Sequence, residues 1–275
     1  MSTTHTTAHA AGLSVDQFAA YQGDGYHIAR GLLRPAEIAE IRDYFERIAE
    51  KGEPIAKHWE PDTSVEGAKD PLKRYPRIMQ PHRFSELAKR YLLDARVGAV
   101  LTALLEEEPI ACQSMYYFKP PGGRGQALHQ DNFYLRVSPH TCIAAWVAID
   151  PSFPANGGLH ICPGTHRLEV ACPEQADLSK SFSPHYVKPP EGHEPIPARL
   201  EPGDVLFFNG SVIHGSDPNT SNQWRRSFIC HYMPWRGREI AESYKPLLRF
   251  TGETVERDTA EGGGPCGADI EFIRD

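Results

Sequence analysis

Apolar positions recur along this chain with two different periods, and the change of period divides it. In "RPAEIAEIRDYFERIAEKG" (34–52), Ile38, Ile41, Phe45 and Ile48 lie three or four apart, which is one face of a helix. Pro35 suits the first helical turn, and Gly52 suits the position just past the end. Upstream, "SVDQFAAYQGDG" (14–25) opens on Ser14 with Gln17 three positions on. That capping-box spacing predicts a helix of its own. Roughly 84 to 106 predicts a further helical pair. From residue 109 the pattern shortens: "IACQSMYYFK", "TCIAAWVAI", "GLHIC", "GDVLFFNG" and "RRSFICHYM" are β-branched and aromatic runs separated by Gly, Pro, Asn and Asp. Short strands so punctuated predict an antiparallel sandwich or barrel. With helices first and strands after, the expected class is α+β, helices packed outside a β core.

Two stretches carry neither period, 52–82 and 166–195. Both are too long for mere connections, which makes them candidates to bind or cover a ligand. No internal repeat is present. The expected organisation is one domain over 13–250, a disordered polar segment over 1–12, and a tail over 251–275 that is weakly ordered or lies on the surface.

Composition narrows the partners. The 275 residues are 40% hydrophobic, with a mean hydropathy of -0.47, which suits a soluble chain with a substantial core. A net charge of -7 gives no footprint for nucleic acid or an anionic membrane. The run "KRYPR" (73–77) reads as solvated surface. No apolar run reaches the length of a membrane span, and residues 1–12 lack the basic and apolar regions of a leader. The expected compartment is the cytoplasm. The six cysteines (112, 142, 162, 172, 230, 266) form no C-x-x-C pair, so they are expected to be reduced and mostly buried. The sequence assigns no oligomeric state.

Candidate chemistry begins in "ALHQDNFYLRV" (127–137). On an extended segment His129 and Asp131 would project to one face and could share a ligand; otherwise they only cap and start turns. His214 ends the apolar run of "PGDVLFFNGSVIHGSDPN". Two imidazoles and a carboxylate make the facial set of non-haem Fe(II) oxygenases, leaving positions open for a bidentate 2-oxo acid and for O2. Eleven residues after His214 comes Arg225, with Ser227 on the same strand face. A guanidinium fork beside a hydroxyl suits the distal carboxylate of 2-oxoglutarate. Arg226, on the opposite face, reads as a surface arginine.

H-x-D, then "NGGLHICPGTHR" (156–167), then "PGDVLFFNGSVIHGS", then R-x-S, in that order, resembles the phytanoyl-CoA dioxygenase family of Fe(II)/2-oxoglutarate oxygenases. The likeness covers about residues 10 to 235, and "KPP" at 119–121 also matches. It implies a double-stranded β-helix (jelly roll, cupin-like) with flanking helices mostly from the N-terminal third. It implies His129, Asp131 and His214 as iron ligands and catalytic centre, and Arg225 with Ser227 as the 2-oxoglutarate clamp. On the strand before H-x-D, Gln113, Met115 and Tyr117 share a face. By resemblance Tyr117 and Trp146 would touch 2-oxoglutarate and Gln113 the substrate, or each is plain core. Phe133 and Tyr134 would line the substrate pocket or wall it off. His160 and His231 receive no metal role, and His166 belongs to a turn.

The implied reaction couples oxidative decarboxylation of 2-oxoglutarate to oxidation of a small molecule, with hydroxylation the leading outcome. Halogenases of this superfamily replace the carboxylate ligand by a small residue, and Asp131 is present. Desaturation, epimerisation and cyclisation share the same cofactor chemistry. A jelly roll that binds a metal or ligand without catalysis is the alternative of a different class. The long loops mix Lys57, His58, Trp59, Lys69, Lys73, Arg74, Tyr75, Arg77, His185 and Tyr186, which favours a polar or anionic substrate, with an acyl-CoA among the options.

Overall fold

Ser14 caps the first helix by the device its spacing predicts. Its Oγ accepts the Gln17 N–H at 3.1 Å, while Gln17 Oε1 accepts the Ser14 N–H at 2.8 Å. This helix, α1 (Val15–Asp24), is followed by α2 (Pro35–Lys51), which buries Ile38, Ile41 and Phe45 and stops at Gly52 in the left-handed region. A short α3 (Pro71–Arg74) lies within the first patternless stretch. The expected helical pair is α4 (Glu86–Leu92) and α5 (Ala95–Leu105). These elements come from a computed structural model that describes residues 13–261 and 266. The segment 1–12, expected to be disordered, lies outside the described residues, as does nearly all of the tail beyond 261.

Two antiparallel sheets form the centre. In chain order the first strands are β1 (Tyr26–Ala29), β2 (Ile78–Met79), β3 (Pro109–Tyr117), β4 (Gln126–His129), β5 (Ile143–Ala148) and β6 (Leu159–Ile161). After them come β7 (Glu174–Gln175), β8 (His185–Tyr186), β9 (Ile196–Pro197), β10 (Val205–Asn209), β11 (His214–Ser216) and β12 (Ser227–Pro234). The C-terminal part adds β13 (Glu239–Ile240), β14 (Leu247–Leu248), β15 (Thr254–Val255) and β16 (Asp258–Thr259). The large sheet runs β1-β10-β5-β12-β3-β14-β15, with β2 also on β3, and the small sheet runs β4-β11-β6-β9. This is the α+β jelly roll that the sequence predicts.

Period-2 alternation gives the large sheet two apolar faces. One packs on the helices: Phe228, Cys230 and Tyr232 join Ile38, Ile41 and Phe45 in one buried cluster, with Phe45 stacked 4.1 Å from Tyr116. The other face, with Met115, Trp146 and Ile229, meets Leu159 and Ile161 of the small sheet. Both long stretches lie against this sandwich. Ile78 and Met79 pair with Tyr116 and Met115, and the Val187 N–H donates to Leu128 O at 2.7 Å, one residue from His129.

The thiols depart from expectation at one pair. Cys112, Cys142, Cys162 and Cys230 are free and buried, but Cys172 and Cys266 are joined in a disulfide. Its partners stand 94 residues apart, where no spacing pattern signals a pairing.

Candidate active site

His129 ends β4 and His214 begins β11, and the two face each other across the ladder with ring centroids 4.3 Å apart. Each imidazole is oriented by its own segment: Nδ1 of His129 meets Ala127 O at 2.8 Å, and Nδ1 of His214 meets Val212 O at 3.0 Å. A carbonyl only accepts, so each Nδ1 carries the hydrogen and each Nε2 is left as a lone pair. That is the tautomer a metal ligand requires. On His129 the Gln126 amide meets this lone pair at 3.1 Å, and a metal would take its place.

Asp131 arrives differently from expectation. The strand ends at His129, and Asp131 has helical angles (φ -62°, ψ -35°) at the head of a short helix, α6 (Asn132–Leu135). The H-x-D segment is therefore not extended throughout, and a turn, not strand alternation, brings the carboxylate back. Its Oδ1 lies 3.4 Å from His129 Nε2 and 3.5 Å from His214 Nε2. The three side chains are buried, and one ligand atom from each lies within 4.8 Å of the others. Burial pushes the His214 imidazole down to about 4, so it is neutral at pH 7. Burial opposes the charge on Asp131 too, yet the imidazoles around it, among them His231 with Nε2 2.9 Å from Oδ2, hold the carboxyl below its usual range. Two imidazole nitrogens presenting lone pairs and one carboxylate oxygen fit a divalent iron with open positions.

Along the inner face of β12 and its approach lies Arg225, 3% exposed. Its Nη1 donates to Ser227 Oγ at 3.1 Å and its Nε to Gly157 O at 3.2 Å, and its Cζ lies 5.4 Å from the Trp146 ring centre. Burial lowers it to about 10, which leaves it charged at neutral pH. Its bonds go to neutral oxygens, and among the described residues it forms no ion pair. A buried cation so placed calls for an anion, and a carboxylate of 2-oxoglutarate fits. Beside it, Lys119 is also buried, its Nζ donating to Gly157 O at 2.8 Å, Ser216 Oγ at 2.9 Å and Asp217 O at 2.5 Å. Burial and the neighbouring Arg225 push this ammonium well below its ordinary pKa. Gly157, whose carbonyl serves both cations, sits at φ +71°, and a methyl group there would collide with the Lys119 side chain.

Arg226 is not the surface residue expected. Its side chain is largely buried, bonded to Asp150 at 2.7 and 2.9 Å and paired with Glu46 of α2. Arg77 also leaves the solvated role given to its run: Nη1 donates to Tyr117 OH at 3.0 Å, and its Cζ lies 4.9 Å from the Phe182 ring centre. Gln113 and Trp146 are buried, and Tyr117 is partly buried on the face of β3 turned to the site. Phe133 and Tyr134 sit on α6; Tyr134 OH meets His185 Nδ1 at 3.0 Å and its ring is 6.0 Å from that of His129. His160 stands apart from the cluster, 3.4 Å from Asp217.

Two site residues escaped sequence reasoning. Lys119 figured only as part of "KPP". His231, considered solely as a metal ligand, places Nε2 2.9 Å from Asp131 Oδ2. The signal was available, because Arg225, Ser227, Ile229 and His231 alternate onto one face.

The profile of the family described as Phytanoyl-CoA dioxygenase (PhyH) matches residues 21–227. The chain belongs to this family. Phytanoyl-CoA dioxygenase 1 of Oryza sativa subsp. japonica is 28% identical over 162 residues, 58% of this chain and 57% of that protein. The peroxisomal phytanoyl-CoA dioxygenase of Bos taurus is 26% identical over 80% of this chain and 68% of its own length. The chain thus spans less than two thirds of the rice relative. Among solved structures, EctD from S. alaskensis with 2-oxoglutarate and 5-hydroxyectoine superposes with a TM-score of 0.67 at 24% identity, over 82% of this chain and 78% of that one. The epimerase SnoN in complex with Fe3+, alpha ketoglutarate and nogalamycin RO gives 0.63 at 20% identity, over 85% and 84%. At such identities the likeness is one of fold. Among the described residues of this family member, no helix is long and apolar enough to cross a membrane.

Proposed function

We propose that this chain is an Fe(II)- and 2-oxoglutarate-dependent dioxygenase that hydroxylates a small polar or anionic organic molecule. The observation that carries the reading is a buried His129, Asp131 and His214 cluster joined through His231 to the strand face at whose head lies the buried Arg225, which among the described residues forms no ion pair. A module that only binds a metal has no use for that second cation. Iron, when bound, would supply O2 activation coupled to oxidative decarboxylation of 2-oxoglutarate.

The protein's own residues do the positioning. His129, Asp131 and His214 offer one ligand atom each. Arg225, oriented by Ser227 and Gly157, would take the distal carboxylate, with the Trp146 ring under its guanidinium and Tyr117 nearby. The apolar residues between the two sheets exclude water from that contact and strengthen it. Gln113, Phe133 and Tyr134 would face the substrate. The ring of His185 stands 5.3 Å from that of Phe133 and its Nδ1 meets Tyr134 OH at 3.0 Å, polar groups that support a polar or anionic substrate. The proposed compartment is the cytoplasm; the four buried free thiols suit it, and the Cys172–Cys266 disulfide is the observation against it.

The test is succinate formation from 2-oxoglutarate by the purified protein with added Fe(II) under air. Wild type should form succinate slowly alone and faster with substrate. Absence of succinate in every condition, with Fe(II) bound, would leave a binding protein instead.

A further inference from the structure

We propose that His231 is a positioning residue that fixes which oxygen Asp131 offers to the metal, an inference that rests on the functional reading above. Asp131 differs from its two companions in having no anchor of its own. His129 and His214 are each held by a carbonyl of their own segment, Ala127 O and Val212 O. Asp131 stands on a helical turn outside the ladder, so its carboxylate needs a partner from elsewhere.

The opposite sheet supplies it. His231 lies on β12, 2% exposed, with Nε2 2.9 Å from Asp131 Oδ2. The other oxygen, Oδ1, points to His129 and His214 at 3.4 and 3.5 Å. A carboxylate only accepts, so His231 carries its hydrogen on Nε2, the reverse of the tautomer in His129 and His214. Three imidazoles thus surround one carboxylate, two presenting lone pairs and one donating. With Oδ2 engaged, only Oδ1 is offered to the cluster, and the remaining positions stay clear for 2-oxoglutarate and O2.

Two further features argue that this contact is built and not incidental. The Nδ1 of His231 is buried and has no hydrogen-bond partner. Packing alone would be better served there by an apolar side chain of similar size. The strand is also shaped around the ring: cross-strand on β5 stands Ala144, with only a methyl group, and the register with β3 shifts directly after His231. Such an irregularity re-aims a side chain.

The experiment compares wild type, His231→Leu and His231→Gln by anaerobic Co(II) titration, reading the visible spectrum of the bound ion, with melting of each metal-free protein alongside. Loss of an outer partner typically costs roughly 10- to 100-fold in metal affinity. His231→Leu should show a loss of that order and an altered spectrum while its metal-free form melts close to wild type. His231→Gln, whose amide can donate to Oδ2, should recover most of the affinity and the wild-type spectrum. Wild-type affinity and spectrum in His231→Leu would overturn the proposal. Equal losses in both variants with lowered melting would overturn it too, by making His231 merely structural. A wild type that binds no Co(II) would instead sink the functional reading beneath it.

Discussion

Two adjacent arginines lead into β12, one toward each of its faces, with opposite fates. On the outer face, Arg226 is bonded to Asp150 and Glu46, and below it Phe228, Cys230 and Tyr232 pack among the helices. On the inner face, Arg225 is buried more deeply and its side chain, among the described residues, bonds to the neutral oxygens of Ser227 and Gly157, while His231 reaches Asp131. Charge buried with its counter-ions holds the fold together. Charge buried without one is a cost the fold carries for something it binds. The outer face therefore governs stability, and the inner face governs ligands.

Variants can break or sharpen that division. The largest expected effect lies at the centre of the inner cleft: His129→Ala, Asp131→Ala or His214→Ala should each reduce succinate production to background while thermal melting without metal changes little. Near-wild-type turnover in any of them would remove that residue from the site. Next is Arg225→Ala, which should raise the 2-oxoglutarate dissociation constant by roughly 30- to 5000-fold, since truncating one partner of a buried charge contact costs on the order of 2–5 kcal/mol. Arg226→Ala should do the reverse. It leaves Asp150 and Glu46 without their cation and should cost about 2–3 kcal/mol of stability, less than a fully buried pair because Glu46 is 39% exposed. A urea midpoint that does not fall would contradict the structural role. Ser227→Ala should weaken 2-oxoglutarate about tenfold by loosening Arg225, close to 1.5 kcal/mol. The smallest is Tyr232→Phe, which deletes the bond to Leu92 O of α4 and should cost about 1 kcal/mol of stability with cosubstrate affinity intact.

What the sequence disclosed follows the range of the interactions involved. The helix caps at Ser14 and Gly52 depend on residues within a turn, so spacing revealed them. Inner and outer faces of β12 follow from alternation, which is also local, and the motif order led to the cluster and to Arg225. The break after His129 was harder: Asp131 and Asn132 are helix-starting residue types, but H-x-D read equally well as a strand. Arg226 was misjudged because its partners, Asp150 and Glu46, lie far along the chain, the nearer 76 positions away. The Cys172–Cys266 disulfide and the seating of Arg77 against Tyr117 and Phe182 likewise depend on tertiary placement that no local pattern encodes.

The central claim is that Arg225, at the head of the inner face of β12, binds a carboxylate of 2-oxoglutarate beside the His129, Asp131 and His214 cluster. Its most direct test is a 2-oxoglutarate titration of the anaerobic Fe(II) protein, followed by the visible charge-transfer absorption, in wild type, Arg225→Ala and Arg226→Ala side by side. The account predicts saturable binding in wild type, nearly the same curve for Arg226→Ala, and a shift of at least roughly 30-fold for Arg225→Ala. Equal curves for all three proteins, or a shift confined to Arg226→Ala, would contradict it.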